Sequence, residues 1–172
     1  MESNDTPICK VVLFGGCFSG KEELFKKWTQ ESKRIGIEYC KKTVTVNDKT
    51  VTLIIFDTAG QKEFRPIYKK YFLNSDVSVL LYSITNKDSF DEMKYWMNEI
   101  KENKDKKIKV IIVGTNTDKF DFNEVSEKEA EQYAKDNDVY YHTISCKLND
   151  GTEELLKIIA KLFLSEQVNH NE

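Results

Sequence analysis

The sequence predicts one α/β domain: a mainly parallel six-stranded sheet with helices on both faces. Three observations predict it. Short apolar runs alternate with amphipathic stretches of helical period along the whole chain. Only 7 glycines and 2 prolines occur in 172 residues, so no linker or internal boundary divides the chain. With 40% hydrophobic and 32% charged residues, the composition is that of a globular chain with a good core. The domain is expected to span residues 1–172, with disordered ends at about 1–7 and 166–172.

Each element has its own local signal. Val11–Phe14 is a short apolar run that leads into a glycine loop, and reads as a buried strand. Glu22–Lys33 is a polar helix with Leu24, Phe25 and Trp28 on one side. Lys41–Val46 and Thr50–Phe56 flank Asn47-Asp48-Lys49, a hairpin turn signal. Val77–Ser83 is a strongly apolar strand, and Val110–Val113 another. Ser89–Asn103 places Phe90, Met93, Trp96, Met97 and Ile100 at helical spacing. Ser126-Glu127-Lys128-Glu129 is a capping box that opens a helix over Ser126–Asn137. Tyr140–Ile144 is the last strand and Thr152–Ser165 the closing helix. In such a sheet a nucleotide sits at the C-terminal ends of the strands.

Bulk properties exclude several function classes. A net charge of -3 provides no global field for nucleic acid. No apolar run has transmembrane length, and no signal peptide is recognisable. The four cysteines, Cys9, Cys17, Cys40 and Cys146, have neither metal-ligand nor disulfide-framework spacing, and read as reduced thiols in a cytoplasmic setting. The final residues Ser165–Glu172 hold no cysteine to accept a prenyl group. Either the native chain continues further, or it has no lipid anchor of its own.

Four segments carry the chemistry. Gly15-Gly16-Cys17-Phe18-Ser19-Gly20-Lys21-Glu22 nearly matches G-x-x-x-x-G-K-[ST]. Glycines let backbone N–H groups approach phosphate oxygens, the next helix adds its positive end, and Lys21 supplies a point charge. A glycine-bearing turn with an exposed lysine is the bland alternative. Asp57-Thr58-Ala59-Gly60-Gln61 follows the apolar strand Leu53–Phe56. Asp57 can hold Mg²⁺ directly or through water, Gly60 can present its N–H to a terminal phosphate, and Gln61 can orient an attacking water. Thr115-Asn116-Thr117-Asp118 follows the strand Val110–Val113, and Asp118 can accept two N–H bonds from guanine but not from adenine. Ser145-Cys146-Lys147 follows the next strand, where a backbone N–H can meet the guanine carbonyl.

These four elements, in this order, resemble the G domain of the Ras-superfamily small GTPases, from about Cys9 to Phe163. The chain is most similar to the Rab branch in Ile35–Tyr39, Phe56–Arg65, Tyr71-Phe72 and Leu81–Thr85. The resemblance implies a P-loop NTPase fold, GDP/GTP as ligand and a part in vesicle transport, at endomembranes if a lipidated tail is present. It also implies protein effectors or regulators contacted through Ile37, Tyr39, Phe56 and Tyr71. Ordinary sheet-face packing is the alternative role for these aromatics.

The departures from the family pattern are specific. Glu22 stands where a loop hydroxyl ligates Mg²⁺; a carboxylate is a legitimate ligand, but it is also anionic beside phosphates. Arg34 stands where a threonine normally senses the metal and γ-phosphate; a guanidinium binds phosphate instead, unless it is simply exposed. Whether Mg²⁺ binds is thus left open. The stretch from Lys21 to Arg34 is short, which removes the usual ribose-covering aromatic and favours fast nucleotide exchange. Asn116 replaces the lysine that packs over the base, and Thr115 an asparagine, as in the Rho branch. Cys17 and Phe18 replace common loop glycines, and a side chain at Cys17 is expected to crowd Gln61 and slow hydrolysis.

Two readings follow. One is a Rab-like GTP-binding protein with slow hydrolysis. The other is a pseudo-GTPase interaction module with nucleotide absent or structural. A P-loop nucleotide kinase is disfavoured by the Asp57–Gln61 and Ser145–Lys147 elements and by the absence of an arginine-rich lid segment.

Overall fold

The computed structural model describes residues 6–29, 39–103 and 107–169, with side chains to Glu166. Six strands form one sheet in the order β2-β3-β1-β4-β5-β6. They are β1 (Ile8–Phe14), β2 (Tyr39–Val46), β3 (Lys49–Asp57), β4 (Val77–Ser83), β5 (Lys109–Thr115) and β6 (Tyr140–Thr143). All neighbouring pairs are parallel except β2 with β3. Among the described residues, five α-helices connect or close them: α1 (Lys21–Thr29), α2 (Arg65–Leu73), α3 (Lys87–Glu102), α4 (Glu127–Asp136) and α5 (Thr152–Asn169).

Side chains alternate along the inner strands, and each set faces its own helical layer. Val11, Leu13, Val79, Leu81, Ile111 and Val113 pack with α1 and α5. Val12, Phe14, Leu80, Tyr82, Val110 and Ile112 pack with α2, α3 and α4. This double burial explains why those strands read as unbroken apolar runs. β2 lies at the sheet edge and buries only Val44 and Val46.

The hairpin between β2 and β3 turns on two residues, since Val46 pairs with Lys49. Asn47 and Asp48 both have positive φ, 50° and 62°, as a type I′ turn requires. Lys49, read from sequence as part of the turn, thus opens β3. Helix α3 begins at Lys87 rather than Ser89, because the Asn86 side chain accepts the Ser89 N–H at 2.9 Å. The capping box at α4 forms: Ser126 Oγ accepts from Glu129 N at 3.1 Å. Helix α2 has no counterpart among the elements expected from sequence. For α1 the expected stretch beyond Thr29 lies outside the described residues.

Parallel pairing carries the C-terminal ends of β1, β3, β4, β5 and β6 to one edge. The glycine loop, Asp57, Ser83, Thr115 and Ser145 all emerge there.

Candidate nucleotide-binding site

The loop between β1 and α1 wraps around its own backbone. Ser19 N donates to Gly16 O at 3.2 Å, and Leu24 N to Gly20 O at 3.2 Å, which starts the helix. Ser19 folds back on Gly15, where an added Cβ would meet its Oγ at 2.4 Å. Gly20 has φ +82°, and a Cβ there would meet Thr115 Oγ1 at 2.5 Å. Phe18 also has positive φ, 63°, a conformation that is strained for an aromatic residue, and it is 82% exposed.

Lys21 is 2% exposed and folds inward. Its Nζ donates to Asp57 Oδ1 at 2.7 Å and also to the Thr58 carbonyl. Asp57 closes β3 and is 5% exposed, so this is a buried ion pair with an added hydrogen bond. Thr58 Oγ1 donates to Leu13 O at 2.7 Å, which fixes the segment after β3 to the end of β1. Gly60 then passes over the glycine loop so closely that a Cβ would meet Cys17 N and Gly16 C at 2.9 Å. Together these segments line a cleft of about 510 Å³ that includes Gly16–Glu23 and Ala59–Gln61. Cys17 and Gln61 are both exposed on it. Glu22 lies exposed in the first turn of α1.

The second half of the site lies after β5 and β6. Thr115 Oγ1 donates to the Ser19 carbonyl at 2.6 Å, joining β5 to the glycine loop. Ser145 Oγ donates to Asp118 Oδ1 at 2.8 Å, which fixes the carboxylate that the sequence reads as base-selective. The hairpin-like bridge between Ser145 and Asp150 holds that turn in place. Asn116 adopts a left-handed conformation, and its Nδ2 donates to Ser83 Oγ at 2.8 Å. Its side chain is therefore tied to the end of β4. Burial pushes the Cys146 thiol up to about 11; the Glu23 and Asp118 carboxylates add to this, while Lys27 opposes it. Lys147 is exposed.

Sequence reasoning missed several contacts around this site. Arg65, at the start of α2, forms a bidentate pair with Glu92 of α3, with Nε at 3.0 Å from Oε1 and Nη2 on Oε2. Its guanidinium also lies 3.8 Å from the centre of the Tyr95 ring. Glu92 is buried and packs under Gly16, where a Cβ would meet its Cγ at 3.0 Å. No short motif signals such a pair, because its partners are 27 residues apart. Tyr39 is 60% exposed and sits 5.8 Å from the Phe56 ring, while Tyr71 pairs with Tyr68 at 6.2 Å. Arg34 and Ile37 lie outside the described residues. Among the described residues, no helix is long and apolar enough to cross a membrane.

A sequence model of the Ras family matches residues 10–165. The Ras-related protein Rab-30 of Homo sapiens is 34% identical over 165 residues, covering 92% of this chain and 81% of that protein. The Ras-like GTP-binding protein RYL2 of Yarrowia lipolytica is 34% identical over 189 residues, covering 99% of this chain and 89% of that protein. With the sheet order, the glycine loop and the Asp118–Ser145 pair already in place, the chain belongs to the Ras family, as a Rab-like small GTP-binding protein.

Proposed function

We propose that this protein binds GDP and GTP in the cleft at the sheet edge, hydrolyses GTP slowly, and regulates a step of vesicle transport. The observation that carries the reading is the Ser145–Asp118 hydrogen bond. It holds one carboxylate oxygen and orients the group as a two-point acceptor for the N–H edge of guanine. Adenine offers an acceptor at that edge, so a fixed carboxylate rejects it. The backbone of Cys146 supplies the contact to the base carbonyl, with Lys147 beside it.

The phosphates rest on the backbone of Gly15, Cys17, Phe18, Ser19 and Gly20 at the start of α1. Lys21 exchanges Asp57 for phosphate oxygens, and the Asp57 carboxylate then serves a cation. Two carboxylates, Asp57 and Glu22, together with phosphate oxygens form a donor set that suits Mg²⁺. Gly60 is close enough to the loop for its N–H to meet the terminal phosphate, and Gln61 orients the attacking water. The Cys17 thiol shares that cleft with Gln61, which supports slow turnover. Arg34 adds a phosphate contact. Effectors or regulators are contacted through Ile37, Tyr39, Phe56 and Tyr71, a role supported by the exposure of Tyr39 and by the tilted contact of its ring with that of Phe56.

The buried Lys21–Asp57 pair favours a second reading. A lysine already neutralised inside the protein suits an interaction module whose nucleotide is absent or structural. One set of measurements separates the readings: thermal shift with GDP, a non-hydrolysable GTP analogue and ATP, with and without Mg²⁺, followed by single-turnover GTP hydrolysis. The expected result is stabilisation by both guanine nucleotides, none by ATP, and slow but measurable hydrolysis. Equal stabilisation by GDP and the GTP analogue with no hydrolysis would establish the module instead. Stabilisation by ATP as strong as by GDP would end both.

A further inference from the structure

We propose that Ser83, at the end of β4, is a positioning residue for base recognition: its hydroxyl holds the Asn116 side chain, and through it the turn that carries Asp118. The inference rests on the guanine-nucleotide reading. It gives a role to a residue that stands outside the four segments read as carrying the chemistry.

Reading guanine by its N–H edge needs a carboxylate held to within about 0.5 Å. The Ser145 hydroxyl fixes one oxygen of Asp118, at 2.8 Å, and the group can still pivot about it. The backbone of its turn must therefore be fixed as well. On the β6 side, Thr117 N and Oγ1 both donate to Ile144 O, at 3.4 and 3.2 Å. On the β4 side, the side-chain tie is Asn116 Nδ2 on Ser83 Oγ at 2.8 Å. Asn116 is the N-cap of the 3₁₀ turn Thr117–Phe122, two residues before Asp118. Its carbonyl accepts the Lys119 N–H at 2.9 Å, so the turn closes around Asp118. Its backbone is left-handed, with φ 62° and ψ 34°, a conformation that asparagine tolerates better than most side chains. The entry into the turn is thus a sparsely populated conformation, and the bond to Ser83 holds it there.

Ser83 itself has no freedom to yield. It is fully buried and pairs in register with Thr115 across β4 and β5. Its N–H donates to Ser89 Oγ at 2.9 Å, and its carbonyl accepts from Asn86 N at 3.1 Å. Its Oγ accepts from Asn116 Nδ2 and, at 3.3 Å, from Thr85 N. Those two bonds use both lone pairs, so the Ser83 proton goes to Thr85 Oγ1 at 2.8 Å. A hydroxyl with every position filled keeps one orientation. With its amide committed to that hydroxyl, Asn116 acts on the base through Asp118 rather than by direct contact.

The test compares affinities for GDP and inosine diphosphate in the full chain and in Ser83→Ala, Asn116→Gly and the double variant, with ADP as a reference in the native chain. Inosine lacks only the exocyclic amine, so the ratio of the two affinities reads the second N–H bond to Asp118. The native chain should prefer GDP about tenfold, as expected for a hydrogen bond to a charged acceptor. Glycine keeps the left-handed turn without steric cost and removes the side-chain tie. Ser83→Ala and Asn116→Gly should each bring the ratio to about threefold or less. The double variant should fall no further, because the two residues act through one bond. Phosphates and sugar are the same in both ligands, so a general loss of affinity or of folded protein cancels in the ratio. An unchanged ratio in Ser83→Ala overturns the proposal and leaves the guanine reading intact. So does a fall in Asn116→Gly alone, since the backbone and not the tie would then place Asp118. Losses that multiply in the double variant overturn it too. A native chain that does not bind GDP, or binds ADP as tightly, overturns the guanine reading and this proposal with it.

Discussion

Burial and three charges, the Glu23 and Asp118 carboxylates and the Lys27 ammonium group, act on the Cys146 thiol. Burial is the largest cause of its raised pKa of about 11, followed by Glu23. The thiolate is the reactive form, so alkylation at neutral pH should be slow and should accelerate as pH rises towards about 11. Removing a neighbouring negative charge stabilises the thiolate. Glu23→Gln should therefore lower the midpoint and speed alkylation at a fixed pH of about 8, below the ordinary thiol pKa. Iodoacetamide labelling followed by peptide mass spectrometry separates Cys146 from Cys17 and reads this directly. An unmoved midpoint would mean that Glu23 points elsewhere. At this scale the sequence was only partly legible. Asp118, Ser145, Lys21 and Asp57 stand in short motifs at strand ends, and pattern alone finds them. No sequence motif singles out Glu23, which stands in the first turn of α1. The turned-back Asn116 was illegible too, because its partner Ser83 is 33 residues away on another strand.

Among the elements, α2 has the least support of its own. It is nine residues long, carries Pro66 in its first turn, and buries only Tyr68 and Phe72. A helix this short is marginal on propensity alone, which is why its pattern escaped the sequence reading. Tertiary contacts hold it instead. Arg65 ties its first residue to Glu92, and the ring of Tyr95 covers the guanidinium. Hydrogen bonding to Glu92 is the main cause of the raised Arg65 pKa. Glu92 is buried whereas Arg65 is a quarter exposed, so the cost of losing the cation falls mainly on the acid. Arg65→Met should cost roughly 1–2 kcal/mol, below the value for a fully buried pair because one partner is solvated. Urea denaturation measures it, and Arg65→Met with Glu92→Gln should recover part of the loss. If the single change costs nothing, the pair is a surface contact that contributes nothing measurable. Glu92 also packs under Gly16, so the same clamp braces the glycine loop from below.

Across the whole molecule, one sheet edge gathers segments separated by more than a hundred residues, and the parallel strand order does the gathering. That order was legible in the sequence, since doubly buried strands advertise themselves as apolar runs between amphipathic helices. The coupling between segments was not, because it depends on single hydrogen bonds. The most consequential is Thr115 Oγ1 on the Ser19 carbonyl, spanning 96 positions of sequence at 2.6 Å. It ties the glycine loop directly to the end of β5. Thr115→Val keeps the shape, removes the donor and leaves a buried carbonyl unsatisfied, at a cost of about 1–3 kcal/mol. Part of that cost should appear as looser placement of the loop relative to Asp118. GDP and GTP affinities should then fall together, by roughly tenfold for each 1.4 kcal/mol that reaches binding. Base selectivity should hold, because the Ser145–Asp118 bond is untouched. Fluorescent-nucleotide titration of guanine and adenine diphosphates reads both quantities in one experiment. A collapse of the guanine preference in Thr115→Val would place the threonine in base recognition rather than in the coupling of the two halves.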